Sequence, residues 1–146
     1  MKKFLKQTKL IAQKKENIKG IQYDFMLNLG NETEICKCKI NINEDYTIWT
    51  ISSWFVKKEY QNKGIGKYTL HKSLKNLVEN YGIPQEIKYI WNGTNNYVLE
   101  WLETNFDAIC ECPIAIQKTS TEDDCLSHIY GLNIKKVFNY FEIVKK

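Results

Sequence analysis

Three stretches in the first 56 residues of the chain have the pattern of strands. Residues 20–29 and 34–43 alternate apolar and polar residues with the two-residue period of a half-buried strand, and residues 47–56 contain a short apolar run. In the first of them one face carries Ile21, Tyr23, Phe25 and Leu27. Polar turns separate the stretches, so the pattern predicts an antiparallel meander. Residues 1–15 are expected either to add another strand or to form an irregular edge.

From Lys67 the spacing of the apolar residues changes to that of an amphipathic helix. The apolar positions are Tyr68, Leu70, Leu74, Leu77, Val78 and Tyr81. Gly82 supplies the left-handed residue that commonly follows a helix, and Pro84 prevents continuation. The pattern therefore predicts a helix from Lys67 to Tyr81.

The second half of the chain mixes strands and helices. Residues 86–91 form a predicted strand and residues 97–103 a predicted short helix. Residues 108–118 and 125–132 are predicted strands on either side of a polar turn. Residues 133–144 have the spacing of a helix that begins with an asparagine cap, although a strand is also possible. This order predicts an α+β, or mixed α/β, fold.

The length and composition suit one folded domain over residues 1–146. The sequence is 43% hydrophobic and 13% aromatic, which favours a folded core over disorder. No apolar run approaches the roughly 20 residues of a membrane helix. The charged start has no apolar core of a signal peptide, so we expect a cytoplasmic protein.

The charge pattern argues against a nucleic-acid partner. The net charge is +4, and all 21 basic residues are lysines spread along the chain. Arginine is the residue that makes bidentate contacts to bases and phosphates. The composition therefore favours neither nucleic-acid nor membrane binding.

The five cysteines include two C-x-C pairs, Cys36 with Cys38 and Cys110 with Cys112; Cys125 is the fifth. An odd number without a secretion signal argues against a disulfide framework. Zinc remains the alternative, although structural zinc sites commonly have two to four residues between paired cysteines. On a strand, C-x-C places both thiols on one face. We therefore predict reduced thiols that pack in the sheet and no metal site.

The stretch "QNKGIGK", residues 61–67, lies between a predicted strand and a predicted helix. The first turn of a helix leaves N–H groups unpaired, and the helix dipole adds positive potential there. Gly64 and Gly66 lack a Cβ, so an anion can approach the backbone closely. Lys63 and Lys67 add charge. The stretch therefore predicts an anion site, although its spacing is not that of a P-loop.

A longer stretch around this loop, "WFVKKEYQNKGIGKYTLHKSLKNLVENYGI", resembles motif A of the GNAT family of N-acetyltransferases. The family pattern is a strand, a loop with Q/R-x-x-G-x-G/A, and a long helix. Gln61, Gly64 and Gly66 occupy the defined positions. The likeness extends over residues 47–107.

This resemblance implies a twisted, mostly antiparallel sheet with a central helix after a pyrophosphate-binding loop. It also implies acetyl-CoA as co-substrate, with its pyrophosphate on the loop and its pantetheine arm along the strand end. The strand that ends at Val56 should diverge from the strand that contains Ile90, leaving a V-shaped cleft. The implied cofactor-binding residues are Trp54, Phe55, Val56, Gln61, Asn62, Lys63, Gly64, Ile65, Gly66, Lys67 and Asn95.

The implied reaction is acetyl transfer from the thioester to a primary amine, with an acid for the leaving thiolate. The family's acid is usually a tyrosine, but the best-aligned position here holds Trp101. Tyr97, one turn earlier, is therefore the predicted catalytic acid. The candidates for a general base are Glu59, His128, and Ser52 or Ser53 acting through a water.

The chain departs from the family pattern near its start. Few residues separate the first fifteen from the strand at 20–29, so the helices that usually wall the acceptor site have no room. We therefore expect an open acceptor side, which favours a protein or peptide amine over a small metabolite. Two alternatives remain open: a non-catalytic binding or interaction module with the GNAT fold, and an unrelated α+β interaction domain.

Overall fold

The computed structural model describes residues 6–91, 96–111 and 128–143. Four strands come first: β1 (Thr8–Asn17), β2 (Gly20–Leu29), β3 (Glu32–Asn43) and β4 (Ile48–Val56). The remaining elements are α1 (Ile65–Tyr81), β5 (Glu86–Trp91), α2 (Asn96–Phe106), β6 (Ile109–Cys110), β7 (His128–Leu132) and α3 (Ile134–Tyr140).

The strands form one sheet in the order β1-β2-β3-β4-β5-β7-β6. Its strand pairs are antiparallel except β4 with β5, which are parallel. The predicted α+β fold and the meander are therefore confirmed, and the start of the chain supplies the extra strand β1.

The last element was predicted as a helix or a strand, and the helix is confirmed. Its cap is Asn133, whose side-chain oxygen accepts a hydrogen bond from the Lys136 N–H at 3.1 Å.

Several predicted boundaries differ from those of the structure. Helix α1 begins at Ile65 rather than Lys67, and α2 covers Asn96–Phe106 rather than residues 97–103. The described parts of the last two predicted strands are the short β6 and β7. The predicted turn between them lies outside the described residues.

The core lies between one face of the sheet and the three helices. The alternating residues of β2 are buried as predicted. All of them except Leu27 share a cluster with Leu70, Leu74 and Leu77 of α1, and with Leu102 of α2 and Val137 of α3. The intervening residues of β2 and β3 are only half-buried. The helices therefore cover one face of the sheet in the described part of the chain.

None of the helices in the described residues is long and apolar enough to cross a membrane.

Strands β1 and β2 form a tight hairpin. Their register pairs Asn17 with Gly20, so only two residues connect the strands. The Asn17 side chain accepts a hydrogen bond from the Lys19 N–H at 2.8 Å, which stabilises the turn. A Cβ at Gly20 would collide with the carbonyl oxygen of Ile42 on β3. The expectation that no helix fits between the first two strands is therefore confirmed.

A β-bulge at Ser52 bends β4 where it leaves β5. The β3–β4 register pairs Lys39 with Ser53 but Ile40 with Ile51, so Ser52 is an extra residue. The pairing of β4 with β5 ends at Ile51 and Tyr89. A bulge adds local twist and moves the following side chains to the other face. Strand β5 continues alongside β7, so β4 and β5 diverge. The predicted divergence of these two strands is thus confirmed.

The first C-x-C pair packs inside the sheet as predicted. Cys36 and Cys38 are fully buried on β3, against α1. Burial raises the pKa of the Cys36 thiol to about 11, and a hydrogen bond with Thr69 only partly offsets this. Burial raises the pKa of Cys38 as well. Cys112 and Cys125 lie outside the described residues, and the absence of a required metal stays a prediction.

The buried thiols are expected to resist alkylation in the folded protein. Only the thiolate reacts, and a raised pKa keeps the Cys36 thiol protonated until the pH approaches 11. Iodoacetamide at pH 8 should leave Cys36 and Cys38 unmodified, whereas both should react in denaturant. Mass spectrometry of the peptides measures this. Rapid labelling of either thiol without denaturant would contradict the assignment.

Candidate active site

A cleft of about 280 Å³ lies beside the end of β4 that has no pairing with β5. Strand β4, the loop before α1, and the first half of α2 form its walls. The lining residues are Trp54, Phe55, Val56, Tyr60, Gln61, Asn62, Gly64, Ile65, Gly66, Lys67, Tyr97, Val98 and Trp101.

The structure therefore brings the predicted cofactor residues together, with two exceptions. Lys63 lies exposed in the loop but does not line the cleft. Asn95 lies outside the described residues. Tyr97, the predicted acid, lines the same cleft. The role of each residue in binding or catalysis stays a prediction.

The two glycines of the loop are required for different reasons. Gly64 precedes α1 with φ of +78°, a left-handed conformation that favours glycine, although a Cβ there would meet nothing within 4 Å. Gly66 lies within the first turn of the helix. A Cβ on it would lie 3.3 Å from Cγ2 of Val56 and 3.6 Å from the Trp54 ring. Gly66 thus permits close packing of the helix on β4, which the sequence alone did not indicate.

The amino end of α1 has the properties of an anion site. Its first intrahelical bond runs from the Tyr68 N–H to the Gly64 carbonyl at 3.0 Å, so the N–H groups of the preceding residues have no partner in the helix. No side chain caps this end, and the first turn carries no acidic residue. The 17-residue helix also contributes the positive end of its dipole.

Two side chains fasten the loop to β4. The amide of Gln61 donates a hydrogen bond to the Val56 carbonyl at 3.0 Å. The indole N–H of Trp54 donates to the Gly66 carbonyl at 3.1 Å. The first contact holds the start of the loop and the second holds the first turn of α1. These two hydrogen bonds therefore hold the candidate anion site against β4.

An aromatic wall faces the loop across the cleft. The Trp101 ring of α2 lies 6.0 Å from the ring of Trp54, measured between centroids. The Lys67 ammonium lies 5.3 Å from the Trp101 ring centroid, a cation–π distance. Edge contacts with Phe106 and Tyr140 support Trp101 from behind. The cleft thus has a basic end at the loop and an aromatic side at α2.

Tyr97 lies on the first turn of α2 and is 70% exposed. Sequence reasoning did not assign the neighbouring cleft residues Tyr60, Val98 and Trp101 to the site. The helical spacing of Tyr97 and Trp101, four residues apart, could have indicated that they share one face. Tyr60 belongs to a short 3₁₀ turn before the loop, for which the sequence has no periodic signal.

The proposed bases lie elsewhere. Glu59 is exposed and does not line the cleft. The Ser52 hydroxyl donates to the Lys39 carbonyl at 3.5 Å, and Ser53 also lies outside the lining. The His128 ring contacts Trp91 on the neighbouring strand, with 5.9 Å between ring centroids. The structure does not bring these four side chains into the described cleft lining.

Solved acetyltransferase structures have a similar fold. A GNAT family acetyltransferase from Elizabethkingia anophelis, with acetyl-CoA bound, matches with a TM-score of 0.56 and 12% sequence identity; the match covers 86% of this chain and 97% of that one. An acetyltransferase from Bacillus subtilis in complex with CoA matches with a TM-score of 0.53 and 13% identity, over 85% and 98% of the two chains.

A third similar structure is the PaiA N-acetyltransferase from Thermoplasma acidophilum in complex with coenzyme A. Its TM-score is 0.56 and its identity 15%, over 76% of this chain and 60% of that one. This chain therefore spans less than two thirds of the PaiA chain. The sequence matches no protein-family model, and it matches no curated protein significantly.

Proposed function

We propose that this chain, which has the fold of the GNAT acetyltransferases, transfers an acetyl group from acetyl-CoA to a primary amine. The observation that carries the proposal is the cleft itself. It joins an uncapped helix end and a lysine to an unpaired strand edge. A polyanionic cofactor with an extended amide arm has the chemistry that these two features suit.

The parts of the cleft match the parts of the cofactor. The N–H groups of Ile65, Gly66 and Lys67 would bind the pyrophosphate, and the Lys67 ammonium would add charge. The pantetheine arm would lie along β4 beyond Ile51, where β5 no longer pairs with it. In the proposed assignment Trp54, Phe55 and Val56 flank the arm, and Asn95 contacts it.

The proposed chemistry is direct attack of the amine nitrogen on the thioester carbon. A carbon–nitrogen bond forms, the carbon–sulfur bond breaks, and the Tyr97 hydroxyl protonates the leaving thiolate. The amine must be neutral, and an amine with pKa near 10.4 costs about 5 kcal/mol to deprotonate at neutral pH. We propose that this proton passes to solvent water, because the candidate bases lie outside the described lining. After the attack the nitrogen loses a second proton, which passes through water to the Tyr97 phenolate and restores its hydroxyl.

The proposed acceptor is an amine on a protein or peptide. The tight β1–β2 hairpin leaves no connecting helices to cover the sheet. On the face opposite the helices, the intervening residues of β2 and β3 remain half-exposed. Phe55, beside the cleft, is 48% exposed. An uncovered approach suits a large acceptor better than a small molecule that needs enclosure.

The second candidate function is a non-catalytic module that binds the same cofactor. The observation that favours it is the position of the four candidate bases, outside the described cleft lining. Such a module would use the loop and β4 in the same way but would not release free CoA.

Acetyl-CoA binding and turnover separate these functions. We expect acetyl-CoA at a hundredfold excess over its Kd to raise the Tm by about 5–10 °C. We also expect free CoA to appear with a peptide amine, and the peptide to gain one acetyl group by mass spectrometry. A panel should compare peptides with small amines. Binding without CoA release would favour the module. Absence of binding would favour an interaction module that keeps the fold without the cofactor.

A further inference from the structure

We infer that Trp54 is a positioning residue, which holds the first turn of α1 in the orientation that binds phosphate. The inference rests on the proposed function, because it concerns the cofactor loop. Trp54 donates its indole N–H to the Gly66 carbonyl across a distance of 3.1 Å. This hydrogen bond joins β4 to the turn whose N–H groups would contact the pyrophosphate.

The β-bulge places the indole under the helix. Trp49 and Ile51 face the core before the bulge, and strict alternation would turn Ser53 inward next. Because Ser52 is an extra residue, Trp54 packs against the core instead. The bulge thus both separates β4 from β5 and brings an N–H donor to the loop.

The packing around the indole leaves the turn little freedom. Ring atoms of Trp54 lie 3.6 Å from the position that a Cβ on Gly66 would occupy. On its other side the ring meets Trp101, which also contacts the Lys67 ammonium. A shift of the Gly66 carbonyl would therefore move both the N–H groups of the first turn and the Lys67 ammonium. The hydrogen bond from Trp54 to this carbonyl holds both in place.

The same strand offers a matched control. Trp49 is fully buried, and its indole N–H has no hydrogen-bond partner among the described residues. It lies outside the cleft lining. Substitution of Trp49 by Phe removes the same chemical group from β4 without touching the loop. Loss of the unpaired N–H breaks no hydrogen bond, so the smaller ring should lower the Tm only through the cavity that it leaves in the core.

The test compares two ligands and two variants. We expect Trp54→Phe to weaken CoA binding about threefold to tenfold, which corresponds to one lost hydrogen bond. Binding of acetyl-pantetheine, which lacks the pyrophosphate, should weaken less than CoA binding, because phenylalanine keeps an aromatic side chain beside the arm. Trp49→Phe should bind both ligands like the parent. Calorimetry measures the Kd values. Trp54→Met, which also lacks a donor, replaces Trp54→Phe if the latter does not fold.

The outcomes are distinguishable. If the parent binds CoA and Trp54→Phe binds it equally tightly, the positioning role is wrong and the proposed function stands. If the variant loses affinity equally for both ligands, Trp54 acts through packing alone, which also overturns the inference. If the parent binds neither CoA nor acetyl-CoA, the proposed function itself fails.

Discussion

Lys67→Glu is expected to weaken acetyl-CoA binding about thirtyfold to a hundredfold and to remove most of its thermal stabilisation. Lys67 is exposed in the first turn of α1 and lines the cleft beside the proposed pyrophosphate site. A charge-assisted hydrogen bond contributes about 1.5–3 kcal/mol, and the substituted carboxylate would repel the phosphates. Calorimetry and the Tm shift with acetyl-CoA measure the loss.

Lys67→Glu should leave the folded protein intact. Glutamate is a good helix former, and a negative charge in the first turn interacts favourably with the helix dipole. The matched control is Lys75→Glu, which makes the same charge change at an exposed position farther along α1. It should bind acetyl-CoA nearly like the parent. If both variants lose affinity equally, the general charge of the protein attracts the cofactor and the loop does not select it.

Tyr97→Phe is expected to lower kcat at least tenfold while the Kd for acetyl-CoA stays nearly constant. General acid catalysis typically contributes about 10²–10⁴ in rate, and a group that acts on the leaving thiolate affects turnover more than ground-state binding. Because the side chain is 70% exposed, loss of its hydroxyl should not change the Tm. Steady-state CoA release and calorimetry measure the two quantities.

Tyr46→Phe is the control for loss of a phenolic hydroxyl. Tyr46 is also exposed, and it stacks on Tyr81 at the far end of α1, away from the cleft. Its variant should turn over like the parent. Unchanged turnover in Tyr97→Phe would remove Tyr97 from the mechanism, and the thiolate would then leave without a proton from this side chain.

Local patterns were sufficient to predict most of the elements. The two-residue period of β2 predicted the face that is buried, because neighbouring strand residues point to opposite sides of the sheet. Gly82 and Pro84 predicted the end of α1, and that helix does end at Tyr81. The position of the loop was equally predictable, since glycines between a strand and a helix mark the turn that joins them. Anion binding by this loop stays a prediction.

The sequence patterns did not predict the register between strands or the contacts between residues far apart in the chain. The alternation over residues 47–56 breaks at Ser52 and Ser53, but only the pairing with β3 shows that Ser52 is the extra residue. The packing of Gly66 on Val56 likewise depends on the angle at which α1 crosses β4. The bulge at Ser52 and the packing of Gly66 both depend on how whole strands and helices pack together. The pattern of residues within one segment does not determine that packing.

The sequence by itself determined the order of strands and helices, the position of the loop, and the lysines near it. These depend on residue spacing and backbone preference, which act within a few residues of the chain. Only the tertiary structure decided that Trp101 faces Trp54, that Tyr97 shares their cleft and that His128 does not. The physical reason is that α2 and β7 reach their places by packing against a bent β4 and its neighbours. The number of residues between two side chains in the sequence therefore does not tell whether they lie close together in the folded protein.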